Sequence, residues 1–126
     1  MRGDVVARAR GCVGARFRVH GRDPAFGLDC VGLVGIAFAR TGLPADYAVR
    51  GGSAPAVAAA IGRAGLVAAG GDAAGDLLLL DCGAGQLHLA VGTGAGFVHA
   101  DAKLRRVVEV PGRPAWPLLG AWAEAG

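Results

Sequence analysis

Residues 75–101 read GDLLLLDCGAGQLHLAVGTGAGFVHAD, from Gly75 to Asp101. Asp76 to Asp81 holds four leucines in succession, a buried-strand pattern too short for a helix. Gln86 to Gly92 alternates, with Leu87, Leu89 and Val91 on one side and Gln86, His88 and Ala90 on the other. Gly96 to Asp101, Arg105 to Val110 and Leu118 to Ala123 predict three more short strands. Upstream the period is helical. Residues 4–13 put Val5, Val6, Ala9 and Val13 on one stripe with arginines at its rim. Gly14 to Leu28 carries turn residues throughout and predicts a loop. Asp29 to Arg40 is apolar nearly all round, so a buried helix is expected there. Thr41-Gly42-Leu43-Pro44 is expected to stop it, with Gly42 as a left-handed cap. Ser53 is placed to cap a third, alanine-rich helix that has Pro55 in its first turn and ends near Gly62. Helices first and an antiparallel meander afterwards is an α+β order.

Composition bounds the rest. The chain has 126 residues, 53% of them hydrophobic, enough for one core and short of two, so residues 1–126 read as a single domain. Lys103 is the only lysine among 13 basic residues, and the net charge of +3 is mild. Arg2, Arg8, Arg10, Arg16, Arg18 and Arg22 crowd the start but are interrupted by Asp4 and Asp23; they read as a solvated helix face and loop. Few aromatics and no recognition motif argue against nucleic acid. The charged stretch from Met1 to Gly11 has no apolar signal core, so synthesis in the cytoplasm without a signal peptide is expected. The uncharged run from Cys82 to Ala100 carries glycines, Gln86, His88 and His99, which excludes a transmembrane helix. Cys12, Cys30 and Cys82 lack Cys-x-x-Cys spacing, so neither a disulfide framework nor a zinc site is expected, and nothing calls for a cofactor.

Chemistry concentrates in three residues. Cys30 opens the buried helix, where unpaired N–H groups and the positive end of the dipole favour thiolate. An unperturbed thiol titrates at about 8.5, and a cysteine serving as a small hydrophobe is the competing reading. His88 and His99 flank a hairpin. With Thr93-Gly94 at its tip, His88 faces His99; with Gly94-Ala95 at the tip, it faces Asp101. Either register sets a polar group beside His88. A thiol, a base and a group that orients the base are what a cysteine nucleophile requires. Cys12 and Cys82 lack such company and read as structural.

These residues resemble a family. Leu28-Asp29-Cys30-Val31-Gly32-Leu33-Val34 is similar to the nucleophile motif of NlpC/P60 cysteine peptidases, and Gly75-Asp76-Leu77 to their G-D-L strand. His88-Leu89-Ala90-Val91 resembles the strand carrying the base, and Gly96-Phe97-Val98-His99-Ala100 the strand carrying the third polar residue. Together with Gly14-Ala15-Arg16-Phe17-Arg18, the pattern looks most like the subgroup encoded with phage tails and gene-transfer agents. The resemblance implies a papain-like α+β fold with N-terminal helices on a C-terminal antiparallel sheet. It implies Cys30 as nucleophile, His88 as base and His99 as its orienter. It further implies a peptidoglycan stem peptide as substrate, often cut at a γ-D-glutamyl–diamino acid bond, with phage-tail-like proteins as partners and a phage-like particle as the route to the wall.

In the resemblance Asp29, Phe17 and Val31 border the substrate. Many members have tyrosine where this chain has Phe17, and serine where it has Val31; that serine and the preceding aspartate hold the substrate's amino end. Asp29 remains, so a shifted substrate preference is expected. Two rival readings stand beside hydrolysis: a non-catalytic tail-assembly protein that keeps the fold, and an amidase or acyltransferase using the same Cys-His machinery.

Overall fold

The computed structural model describes residues 2–40, 43 and 53–125. Helix α1 spans Arg2–Gly11 and buries Val5, Val6 and Ala9. Two short strands, β1 (Arg22–Asp23) and β2 (Gly27–Leu28), pair within the segment expected to be loop. Helix α2 (Cys30–Ala37) follows, then α3 (Ala54–Arg63). The remaining strands are β3 (Val67–Ala68), β4 (Leu77–Asp81), β5 (Leu87–Gly92), β6 (Gly96–Asp101), β7 (Arg106–Pro111) and β8 (Leu118–Ala123). They form one antiparallel sheet in the order β3-β8-β4-β5-β6-β7. The α+β architecture expected from the order of periods is therefore present, with β3 added at one edge. Among the described residues no helix is long and apolar enough to cross a membrane.

The alternation of the leucine run builds two cores. Leu77 and Leu79 face the helices, joining Leu89, Val91 and Val98 with Val5, Ala9, Leu33, Val34 and Phe38. Leu78 and Leu80 face the other way, toward Ala90, Phe97 and Ala121. Helix α2 crosses the first face against β5 and β6, with α1 laid beside it.

Caps fix both ends of α2. Asp29 is the N-cap, its Oδ1 accepting from Gly32 N at 2.8 Å. The helix stops at Ala37, earlier than the expected Arg40. Ala39 takes the left-handed conformation at φ 53°, Ala39 N donates to Ile36 O, and Arg40 N donates to Gly35 O. This paired capping arrangement normally uses glycine at the turning residue. The stop assigned to Gly42 and Pro44 lies outside the described residues. Ser53 caps α3 as expected, accepting from Ala56 N at 3.4 Å.

Four of the early arginines make ties, while Arg16 and Arg18 stand exposed as expected of a solvated loop. Arg2 pairs with buried Asp76, Arg8 Nε donates to Ala37 O at 2.8 Å, and Arg10 binds Glu109. Asp76 also accepts from Gly71 N and Ala73 N, so it holds the approach to β4 while α1 is anchored to it. Residues 14–17 run along the free edge of β7, with Gly14 N donating to Val107 O and Phe17 N to Arg105 O. Gly21 then meets α2 so closely that a Cβ at Gly32 would overlap the Gly21 carbonyl oxygen. That contact lays the 14–28 segment across the start of α2 and sets Phe17 beside it.

Candidate active site

Strands β4 and β5 pair over five residues, from Leu77↔Val91 to Asp81↔Leu87. Between β5 and β6 the ladder holds only Val91↔Val98 and Gly92↔Phe97, then the strands part. Gly92 N and O bond Asp76 and Gly75 on the β4 side, so alternate residues, Leu89 among them, turn their backbone groups toward the opening. The start of α2 fills it. The Cys30 sulfur lies against the N–H groups of Leu89, Val31 and Cys30 itself.

The tip of the hairpin is Gly94-Ala95, the register that would set His88 opposite Asp101. Because the strands part, that pairing is not made. His88 Nε2 instead reaches diagonally to His99 Nδ1 at 2.9 Å, with the rings edge to face. His99 Nε2 in turn stands 3.8 Å from Asp101 Oδ2. The two groups offered by alternative registers are thus arranged in series on one side of His88.

A cavity of about 340 Å³ brings Cys30, His88, His99, Asp29 and Phe17 together. Val31 is not among its walls: its side chain is buried in the main core. Asp29 is buried and engaged, Oδ1 accepting from Gly32 N and from Arg22 Nη1 at 2.7 Å, and Oδ2 from His20 N at 2.8 Å. Sequence reasoning passed over Trp116, whose ring stands edge to face on both His88 and His99 at 5.6 and 5.8 Å. It arrives from the turn before β8, where no periodic signal marks it. Cys82, read as structural, also lines the cavity, as do Gln86, Asp101 and Lys103.

Burial controls the charge state. It pushes the Cys30 thiol up to about 11, helped by the Asp29 carboxylate and opposed by the three N–H groups. The expected bias to thiolate is reversed, because loss of water outweighs the helix start. Burial also lowers His88 to about 4, with His99 pushing the same way and Asp101 opposing. His99 is lowered by burial and raised by Asp101. Thiol and imidazoles are therefore all neutral at pH 7. Among the described residues no three His, Cys, Asp or Glu side chains are grouped to hold a metal ion.

No family model and no curated protein matches the sequence. Among solved structures, the crystal structure of the NlpC/p60 domain of the peptidoglycan hydrolase SagA superposes with a TM-score of 0.62. The likeness covers 88% of this chain and 89% of that one at 24% identity. The fold is that of an NlpC/p60 domain. Within the NlpC/p60 fold, helices packed on a six-stranded antiparallel sheet carry the papain-like arrangement expected from the motifs.

Proposed function

We propose that the chain is a cysteine hydrolase that cuts a peptide amide of bacterial peptidoglycan, with Cys30 as nucleophile and His88 as base. The observation that carries this reading is the cavity that holds Cys30, at a helix start, together with the 2.9 Å His88–His99 pair. The fold likeness to a peptidoglycan hydrolase domain supports the substrate class.

His88 Nε2 is engaged by His99, which leaves Nδ1 to take the thiol proton. With a neutral resting pair, that proton moves as sulfur attacks the carbonyl carbon, rather than beforehand. The developing oxyanion then meets the N–H groups that lie against the sulfur, a contribution of about 3–4 kcal/mol where comparable donors have been deleted. His88 returns the proton to the leaving amine, and water frees the acyl group from Cys30 by the same path reversed. Trp116 and Phe17 line the cavity with Cys30, which favours an apolar flank next to the cut bond.

At the substrate's amino end, Arg22 already neutralises Asp29, and Val31 offers no hydroxyl. We assign the site a weaker demand for a free amino terminus than the Asp-Ser pattern carries, with the γ-D-glutamyl–diamino acid bond as the first candidate. Association with a phage-tail-like particle, and delivery to the wall by it, belongs to the same proposal and rests on the Gly14–Arg18 resemblance.

Purified sacculi, digested and analysed by mass spectrometry, test the proposal. Wild type should release stem-peptide fragments, and Cys30→Ala should release none while keeping its circular dichroism and melting temperature. The neutral thiol favours one competing reading, a structural protein that keeps the fold without catalysis. Intact sacculi after exposure to folded wild type would overturn the hydrolase reading, and an unreactive Cys30 beside them would favour the structural one.

A further inference from the structure

The Asp101 carboxylate is held from one side. Its Oδ1 accepts from Lys103 N at 2.8 Å and from Leu104 N at 3.1 Å, closing the turn between β6 and β7. This leaves Oδ2 directed at His99 Nε2, 3.8 Å away. The separation is too long for a hydrogen bond, but a carboxylate at that distance attracts the N–H dipole of a neutral ring and so favours a proton on Nε2. His99 Nδ1 is committed to His88. Both nitrogens of His99 therefore have assigned neighbours, one an imidazole and the other a carboxylate that can only accept.

We infer that Asp101 is a positioning residue that sets the tautomer of His99, and through it the nitrogen of His88 that is free to accept the thiol proton. A carboxylate at Nε2 keeps the His99 proton on Nε2. Nδ1 of His99 must then accept, so His88 must donate from its own Nε2. His88 Nδ1 is left with a lone pair for Cys30. One carboxylate in a turn thus fixes the direction of every hydrogen in the chain Asp101–His99–His88. This inference rests on the cysteine-hydrolase reading for its consequence, though not for its geometry.

The surroundings leave that role to Asp101. Among the described residues, the titratable neighbours facing His99 are His88 from β5 and Asp101 from its own strand; Phe97 and Trp116 make its other ring contacts and carry no charge. Elsewhere around the cavity Asp29 is paired with Arg22, Cys30 and Cys82 are thiols raised by burial, and Lys103 can only donate.

Asp101→Asn makes a sharp test because its amide must split. The two turn N–H groups hold the amide oxygen, so the amino group faces His99 and donates to Nε2. That would move the His99 proton to Nδ1, turn the His88 pair around and place a proton on His88 Nδ1, removing the base. Asp101→Ser keeps an oxygen for the turn but is too short to reach His99, and guards against loss of the turn as the explanation. The primary readout is ring 15N chemical shifts of the three histidines, with His20→Asn used for assignment. Wild type should show His99 protonated at Nε2 and His88 at Nε2, with both protons moved to Nδ1 in Asp101→Asn. The secondary readout is the pH profile of Cys30 alkylation and of sacculus cleavage. Asp101→Asn should lose at least about 100-fold at pH 7, since a wrong tautomer at a catalytic imidazole has cost about 10⁴-fold elsewhere, and Asp101→Ser less. A wild-type His99 already protonated at Nδ1, or unchanged tautomers in both variants, would overturn the inference even if sacculi are cut. Tautomers that respond as described in a protein that leaves sacculi intact would uphold it and overturn the hydrolase reading.

Discussion

The two sides of β5 differ in kind. Toward β4 it is paired along five residues, with Leu79 and Leu89 opposite one another in the main core. Toward β6 it is paired at two positions only, and the unpaired length is where Cys30, His88 and His99 meet. The paired side spends its N–H groups on the neighbouring strand. The open side leaves Leu89 N–H for a sulfur atom and lets two histidines meet across a gap that a regular ladder would have closed. On the proposed function, stability and chemistry fall on opposite edges of one six-residue strand.

Substitutions on the two edges should separate these roles. Cys30→Ala on the open side should remove cleavage altogether with little change in melting temperature. Leu79→Ala on the paired side should cost about 2–5 kcal/mol of stability by leaving a cavity, and lose activity only as the fold is lost; urea unfolding monitored by fluorescence reads this directly. If Cys30→Ala unfolded as readily as Leu79→Ala, the division between edges would fail.

The pH dependence of stability belongs to the open edge. His88 titrates near 4 in the folded protein and at 6.5 when unperturbed. Between those values the unfolded chain binds more protons, so stability should fall as pH drops from 6.5 toward 4, by up to about 3 kcal/mol. Burial of His99 acts in the same direction. His88→Gln should flatten most of that slope in thermal melts, and an undiminished slope would count against a neutral buried His88. His99→Ala should slow cleavage by about 10- to 100-fold without abolishing it, since His88 remains but loses its orienter. Smallest of all, Trp116→Ala should cost less than about tenfold at pH 7, while water admitted to the cavity moves the acid limb of the rate profile up from near 4. An acid limb that stays in place would show that the ring only covers the site.

Much of this was legible in local pattern. The leucine run, the alternation from Leu87 to Val91 and the Ser53 cap follow from period and from the chemistry of helix starts, while the grouping of Cys30 with the two histidines followed from the needs of a cysteine nucleophile and the motif resemblance. The parting of β5 and β6 was not, because the wedge that separates them is the start of α2, more than fifty residues earlier. The same distance in sequence hid the balance of charge: a helix start favours thiolate locally, but only the packed structure shows how completely water is excluded from Cys30. Trp116 stands in a turn without period, and Ala39 adopts a conformation that composition assigns to glycine. Except at Ala39, whose turn is closed by Gly35 and Ile36, the deciding neighbour is remote in the chain.

Lys103 stands exposed in the turn at the mouth of the cavity, in a chain whose other twelve basic residues are arginines. An amine-directed dye therefore finds a single side chain, and finds it beside the thiol and the histidines. The protein carries its own attachment point for a reporter of cleft occupancy, readable by fluorescence without any change of sequence.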